Sequence, residues 1–161
     1  MKRVVGIAVL AVVAVAAAVL VGGFMGLFSG TRPEYLGVKD GRLARCKSTP
    51  NCVSSYADKA ADPEHHIEPL RFQGDPDTAF AKLKDVVRGS ERVTVVRDEP
   101  GYLYAEFKTK VMGFVDDVEF LLDPSSKAIQ VRSASRLGRR DFGVNRERIE
   151  SLRARFAAAG P

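Results

Sequence analysis

The chain has 161 residues, which is enough for one domain, and its formal net charge at pH 7 is +5. So modest a charge argues against a domain that binds nucleic acid. No cysteine precedes Cys46, which excludes a lipid attached at a signal-peptide cysteine.

The first predicted element is a membrane span within an N-terminal anchor, residues 1–30. Residues 4–28 contain no charged residue, Asn, Gln or Pro, and as a helix rising about 1.5 Å per residue they would exceed the roughly 30 Å of a bilayer core. Lys2 and Arg3 precede this run and favour a cytoplasmic N-terminus. The sequence therefore predicts a single-pass protein of the cell inner membrane whose domain faces the periplasm.

A cleaved signal peptide is the alternative for the same segment. Residues 4–15 would be its apolar core, and the three alanines at 16–18 would be its small-residue cleavage site. The apolar run continues beyond that point to Phe28, which favours the uncleaved anchor. Both interpretations export the rest of the chain, either tethered to the membrane or secreted.

A linker, residues 31–42, and a single domain, residues 43–161, follow the anchor. Residues 65–72 predict a short strand at the start of the domain. A helix begins next, with Asp75 as its N-cap and a proline directly after it. Gly89 is placed to end this helix.

Four more strands and a final helix complete the predicted domain. The strands span residues 92–97, 102–110, 114–122 and 128–135. A turn with Pro-Gly joins the first two. The final helix covers residues 144–158, with Asn145 as its N-cap. This order of elements predicts an α+β fold, in which two helices pack on one face of an antiparallel sheet of about five strands.

The apolar positions of the last two strands predict their register. If Asp123 lies opposite Ala128, the apolar residues of both strands share one face of the sheet. A slip by one residue would mix them with polar residues, which a half-buried sheet resists. The favoured register places Glu119 directly across from Arg132.

Three stretches of the domain carry motifs. Residues 46–55 read CKSTPNCVSS, residues 113–120 read GFVDDVEF, and residues 131–136 and 141–146 read VRSASR and DFGVNR. These motifs resemble the opening, central and closing signatures of a bacterial and plastid family, domain of unknown function 1499. The resemblance covers residues 43–156 and implies the domain boundary. The family brings no established activity, so the resemblance implies no mechanism.

The two cysteines, Cys46 and Cys52, predict one disulfide, because an even count in an exported domain favours pairing. A loop this short adds about 2 kcal/mol or less in the chain-entropy model, so the bond would mainly shape the loop. The alternative is a zinc site that also uses His65 and His66, but its spacing departs from familiar zinc sites. We predict no metal and no cofactor.

Asp116, Asp117 and Glu119 form an acidic cluster. One interpretation is a hydrolase in which Asp116 or Asp117 performs general acid–base catalysis beside nearby arginines. The other is structural: Glu119 and Asp117 form cross-strand ion pairs with Arg132 and Arg136. Asp116 would then lie on the apolar face and hydrogen-bond the serine opposite it or the closing loop. The structural interpretation is favoured, because opposite charges are available at the matching positions.

The C-terminal part of the domain is rich in arginine. From Arg132 to Arg155 there are eight arginines and no lysine, and the planar guanidinium suits bidentate binding of oxyanions. Arg146 lies in the first turn of the final helix, where the macrodipole disfavours a cation and favours a bound anion. The predicted ligand-binding residues are Arg132, Ser133, Ser135, Arg136, Asp141, Asn145 and Arg146.

Three functions are open on these observations. The first is a non-enzymatic, membrane-anchored module that binds an anionic small molecule, a lipid head group or a partner protein through the arginine-rich stretch. The second is the hydrolase described above. The third is a purely structural envelope protein, since arginine–carboxylate networks without any ligand explain the stretch equally well.

Overall fold

The computed structural model describes residues 2–159, and its fold is the predicted α+β arrangement. Within that range the helices are α1 (Lys2–Phe24), α2 (Pro76–Arg88) and α3 (Val144–Ala158). The strands are β1 (Cys52–Ser54), β2 (Leu70–Arg71), β3 (Val93–Glu99), β4 (Tyr102–Lys108), β5 (Val115–Asp123) and β6 (Ala128–Ser135).

α1 contains the predicted span. Its residues Val4–Gly23 are long and apolar enough to cross a membrane by length and composition, and a signal sequence near an N-terminus meets the same criteria. The side chains of Val4–Val21 are exposed all round the helix. A helix that is apolar on every side is typical of a membrane anchor or of a signal sequence.

The six strands form one antiparallel sheet in the order β1-β6-β5-β4-β3, and β2 pairs with the start of β6. The predicted register of β5 and β6 is confirmed, with Asp123 opposite Ala128 and Glu119 opposite Arg132. The predicted strand at 65–72 is wrong in extent, because only Leu70–Arg71 is a strand. The chain is still in a turn at His65, and His66 forms only an isolated bridge to Ser54. The proline before Leu70 has no N–H to donate to a ladder.

α2 and α3 pack on the apolar face of the sheet, as predicted. The core between them and the strands includes Leu83 of α2, Ile149 of α3 and Phe120 of β5, all fully buried. Asp75 is the N-cap of α2, and its Oδ1 accepts the Thr78 N–H at 2.8 Å. The helix–sheet contact follows from the apolar stripe that the sequence places along each helix.

The prediction that Asn145 caps α3 is wrong. The N-cap is Gly143, in the left-handed region at φ +87°, and the capping carboxylate comes from Asp141. Its Oδ2 accepts the Asn145 backbone N–H at 2.8 Å. A carboxylate is the stronger acceptor at a positive helix end, which leaves the Asn145 side chain free for other partners.

The segment between α1 and β1 covers the opposite, more polar face of the sheet. Leu43 is buried against Tyr102 and Tyr104 of β4, and Leu36 and Tyr56 pack at the edge of this small cluster. Residues 31–42, predicted as a linker, therefore include side chains that lie on the sheet.

Candidate functional site

Three carboxylates and three arginines form a cluster on the polar face of the sheet. They are Glu106, Asp117, Glu119, Arg32, Arg132 and Arg136. The predicted pair of Glu119 and Arg132 is confirmed, with 3.2 Å between Oε2 and Nη1. The predicted pair of Asp117 and Arg136 is also confirmed, with 2.6 Å between Oδ1 and Nη2. Strand register brings Glu119 and Arg132 directly opposite each other, and Arg136, one residue beyond the end of β6, reaches Asp117 on the same face.

Arg136 holds two carboxylates at once. Its Nε lies 3.1 and 3.0 Å from the two oxygens of Asp117, and its Nη2 also donates to Glu106. Burial alone would raise the pKa of Glu106, but hydrogen bonds from Arg136 and Arg32 lower it below its usual range. Burial alone would lower the pKa of Arg136, but the hydrogen bonds that it donates to Asp117 and Glu106 raise it. Glu106 and Arg136 are therefore charged at neutral pH.

Glu119 has a complete set of hydrogen-bond donors. Besides Arg132, its Oε1 accepts the Gly37 backbone N–H at 2.7 Å and the Tyr102 O–H at 2.8 Å. Burial and the Glu119 carboxylate together raise the pKa of Tyr102, so this phenol stays protonated and donates. Gly37 belongs to the segment that covers the sheet, and no local sequence signal pairs it with a residue so far along the chain.

Arg132 is only 1% exposed, yet its hydrogen bonding is incomplete. Nη1 donates to Glu119, and Nη2 lies 3.4 Å from the Tyr35 hydroxyl, while the Tyr35 ring lies 5.2 Å from the guanidinium carbon. Across the described residues, Nε of Arg132 is the one buried side-chain nitrogen or oxygen without a partner. A buried donor left unpaired costs about 1–3 kcal/mol.

Arg132 lines a cavity of about 210 Å³ between the covering segment and the sheet. The other polar side chains of the wall are Tyr35, Lys47, Thr49, Asn51, Asp117, Ser135 and Arg136. Three cations thus face the cavity against one carboxylate, which Arg136 already holds. A ligand that brings negative charge and hydrogen-bond acceptors fits this wall best.

A second cluster lies on the helix-covered face. Asp116 was predicted to bond the facing Ser135 or the closing loop, and this prediction is wrong, because Arg148 Nη2 binds its Oδ2 at 2.5 Å. Arg148 Nη1 also donates to Ser133 Oγ and to Asn145 Oδ1, at 3.1 and 2.8 Å. Arg148 lies on α3, 32 positions after Asp116 in the chain. Strand register does not predict this contact.

Asn145 is buried at the centre of this second cluster. Its Nδ2 donates to Asp141 Oδ2, Ser135 Oγ and the Asn51 carbonyl, at 2.8, 2.9 and 3.1 Å. Its Oδ1 accepts from Ser133 and Arg148. The amide therefore ties β6, α3 and the residue before β1 together, and no part of it is left for a ligand.

The family model described as "Protein of unknown function (DUF1499)" matches residues 42–156. The chain belongs to this family. The matched region agrees with the extent that the sequence motifs predicted, and it contains all of the second cluster. The match begins after four residues of the cavity wall and its network, which are Arg32, Pro33, Tyr35 and Gly37. No curated protein and no solved structure matches the chain.

The residues predicted to bind a ligand do not form one site in this DUF1499 domain. Arg132, Arg136 and Ser135 line the polar-face cavity. Ser133, Asp141 and Asn145 belong to the second cluster. Arg146 lines a separate cavity of about 250 Å³ with Arg140, Phe142 and Gly143, and its guanidinium donates to the Glu64 carbonyl at 2.9 Å. The predicted anion position at the start of α3 is taken by the Asp141 carboxylate.

The disulfide between Cys46 and Cys52 is confirmed, with 2.01 Å between the sulfurs. Paired sulfurs cannot act as thiolate ligands, so the zinc alternative is not supported. The disulfide loop contributes Thr49 and Asn51 to the cavity wall. Within the described part of the chain, no three His, Cys, Asp or Glu side chains are grouped to hold a metal ion.

His65 supports the disulfide loop from outside. Its Nε2 lies 3.1 Å from the Thr49 carbonyl and its Nδ1 lies 2.7 Å from Asp62 Oδ1. Burial alone would lower the pKa of His65, but the bonds to Asp62 and Thr49 raise it above its usual value. Because both ring nitrogens face acceptors, the protonated imidazolium satisfies this geometry best.

Proposed function

We propose that the domain is a non-enzymatic, membrane-anchored module that binds a phosphate group in the polar-face cavity. The observation that carries this proposal is the unpaired, buried Nε of Arg132 in a wall where cations outnumber carboxylates. An oxyanion complements the positive charge of this wall, and a guanidinium binds phosphate with favourable geometry. The phosphate belongs either to a small molecule or to a lipid head group.

The charge balance favours an anion over a neutral ligand. The three arginines and three carboxylates of the network neutralise one another. Lys47 adds a further positive charge, and among the described residues its ammonium has only the Tyr35 ring as a partner, 5.6 Å from the ring centre. An uncompensated cation at the mouth of a half-buried cavity attracts an anion more strongly than one in bulk water.

Ser135 offers a neutral donor to the same ligand. Its Oγ accepts a hydrogen bond from Asn145 at 2.9 Å, and within residues 2–159 its own hydroxyl proton has no recorded acceptor. A cavity of about 210 Å³ is smaller than the roughly 300 Å³ at the lower end of drug-sized pockets. The cavity therefore suits a phosphate group or a similarly small head group, and not a whole nucleotide.

The geometry does not favour the hydrolase. Asp116 is held by Arg148 and Asp117 by Arg136, each with an arginine nitrogen within 2.6 Å. These charge-assisted bonds occupy the carboxylate oxygens that a general base would direct at its substrate. The two carboxylates also lie on opposite faces of β5, so they cannot act on one substrate.

The disulfide and the N-terminal helix support an extracytoplasmic location. Disulfides persist in oxidising compartments and are rare in the cytosol. We place the domain on the periplasmic face of the cell inner membrane, tethered by residues 4–28, since Lys2 and Arg3 precede the span and favour a cytoplasmic N-terminus.

Binding of phosphate can be tested by thermal unfolding of the full chain in detergent micelles, with and without inorganic phosphate. Ligand at about 100 times Kd stabilises a protein by about 2.7 kcal/mol, so the melting temperature should rise with phosphate concentration. Lys47→Glu should abolish the rise, because it replaces a cation of the wall with an anion. Lys39→Glu is the matched control, since Lys39 is exposed and does not line the cavity.

A parallel experiment in vesicles separates the two sources of phosphate. If the ligand is a head group, phosphatidylglycerol vesicles should stabilise the wild-type chain over phosphatidylcholine vesicles, and Lys47→Glu should remove the difference. If inorganic phosphate raises the melting temperature of the wild-type chain and phosphatidylglycerol vesicles do not, the ligand is a soluble molecule. Equal melting temperatures for wild type and Lys47→Glu under every condition would refute the proposal.

A further inference from the structure

Two loops lie at the same end of the sheet as the end of the membrane span. The β4–β5 loop comprises residues 109–114, and the β6–α3 loop comprises residues 136–143. Because β5 is antiparallel to both β4 and β6, its first residue lies beside their last residues. The two loops are therefore neighbours at one end of the domain.

The last turn of α1 contacts the β4–β5 loop through backbone. A Cβ added to Gly23 would lie 2.8 Å from the Met112 carbonyl oxygen, and one added to Gly113 would lie 2.6 Å from the Gly23 carbonyl oxygen. The rings of Phe28 and Phe114 extend this contact, with centroids 5.6 Å apart. Gly23 is the last residue of the part of α1 that is long and apolar enough to cross a membrane, so a bilayer around α1 would place the loop at Met112 near the boundary of its hydrocarbon core.

The segment that follows the span contacts the second loop as well. A Cβ at Gly30 would lie 2.9 Å from Cβ of Arg136 and 3.0 Å from Cγ of Leu137. Both loops are thus attached to residues within a few positions of the end of the span. This arrangement orients one end of the domain towards the bilayer.

Both loops expose large apolar side chains. Phe142 is 92% exposed and Val111 is 61% exposed, and Leu137 is exposed as well. Phe142 also has a positive φ of 55°, an uncommon backbone conformation for a bulky residue. Its ring packs against almost nothing within the domain, so packing does not explain this conformation. A non-protein apolar environment next to the loop would accommodate it.

The charges around these side chains are positive. Lys108, Lys110, Arg139 and Arg140 are exposed and form no ion pair with any residue in the described range. The only carboxylate within the two loops is Asp141, which caps α3. An anionic lipid surface attracts each such cation by about 1 kcal/mol. The sign of the charge therefore matches phospholipid head groups.

We propose that this end of the domain lies directly on the bilayer, with Phe142, Leu137 and Val111 inserted at the boundary between head groups and acyl chains. The four cations contact the phosphates of anionic lipids around the inserted side chains. The domain is then held flat against the membrane by its own surface as well as by the span. This docking rests on residues other than those that carry the phosphate proposal. An experiment can therefore refute one of the two proposals and leave the other standing.

Tryptophan fluorescence can test the docking, because the chain contains no tryptophan. Phe142→Trp places a single reporter on the exposed loop. Glu99→Trp is the matched control, since Glu99 is exposed at the opposite end of the sheet, beside the β3–β4 turn. Both full-length variants would be reconstituted into phosphatidylcholine vesicles with and without phosphatidylglycerol, and with lipids brominated on the acyl chains.

We expect the emission of Phe142→Trp to shift to shorter wavelength and to be quenched several-fold more by brominated lipid than that of Glu99→Trp. Adding Arg139→Glu and Arg140→Glu should reduce the quenching in phosphatidylglycerol vesicles and change it little in phosphatidylcholine alone. Equal, weak quenching of both reporters would overturn the proposal and leave a protein partner as the occupant of this surface. Recovery from cells of a chain that lacks residues 4–28 would overturn it too.

Discussion

The two faces of β5 each carry a buried arginine–carboxylate pair, and the pairs differ in how completely their hydrogen bonds are satisfied. On the helix-covered face, Arg148 bonds Asp116, Ser133 and Asn145 in a closed network. On the polar face, Arg132 bonds Glu119 and Tyr35 but leaves its Nε unpaired, and the residue lines a cavity. A satisfied buried network stabilises the fold, whereas an unsatisfied buried donor costs stability, and the polar face is where we propose that a ligand binds.

The covering element explains this difference. A regular helix, α3, closes the face of Asp116, and its side chains interdigitate with the strands. The polar face is covered by the irregular segment that precedes β1, stapled by the disulfide between Cys46 and Cys52. An irregular segment packs less completely than a helix, so the polar face retains space and an unpaired group.

Removing the arginine of the closed network should have the largest effect on stability. Arg148→Ala leaves Asp116 buried without its counter-charge, and breaking a buried pair in this way costs about 3–5 kcal/mol. Urea unfolding of the full chain in micelles measures the loss. Arg146→Ala is the control, because Arg146 makes only an exposed contact with the Glu64 carbonyl, and such a surface change costs about 0.5 kcal/mol or less. A similar loss for both variants would show that the network has no special role.

Removing the disulfide should have an intermediate effect on stability and a clear effect on binding. Cys46→Ser with Cys52→Ser should cost about 2 kcal/mol, from the entropy of the short loop in the unfolded chain. The same double variant should lose stabilisation by phosphate, because Thr49 and Asn51 would no longer be held against the cavity. Urea unfolding with and without phosphate measures both effects. Unchanged phosphate stabilisation would place the ligand outside the disulfide loop.

The smallest expected effect is the pH dependence of the polar-face network. The folded pKa of Glu106 is lower than its ordinary value of 4.5, because Arg136 and Arg32 outweigh the effect of burial. The unfolded chain therefore binds a proton first, and the stability from Glu106 is present above pH 4.5 and is lost as the pH falls through the folded pKa. Melting temperatures below pH 5 should fall less steeply for Glu106→Gln than for the wild type. Parallel curves would mean that Glu106 has the same pKa in both states.

Several parts of the site could be predicted from sequence because they depend on neighbouring strands. The alternation of apolar residues in β5 and β6 allows only one register with a single apolar face, and that register pairs Glu119 with Arg132. Asn145 shows the limit of this reasoning. Its position one residue inside the final helix suggested a cap, but Asp141 provides a stronger acceptor, and the amide instead joins three elements.

The sequence by itself determined the apolar span, the two hairpins, the register of β5 with β6 and the disulfide, because each depends on local composition or on positions close along the chain. Tertiary structure alone decided that Arg148 reaches Asp116, that Gly37 and Tyr35 close over Glu119 and Arg132, and that the loop at Met112 lies beside the end of the span. These contacts join elements far apart in sequence. They depend on how helices and irregular segments pack on the sheet, which no periodic pattern encodes.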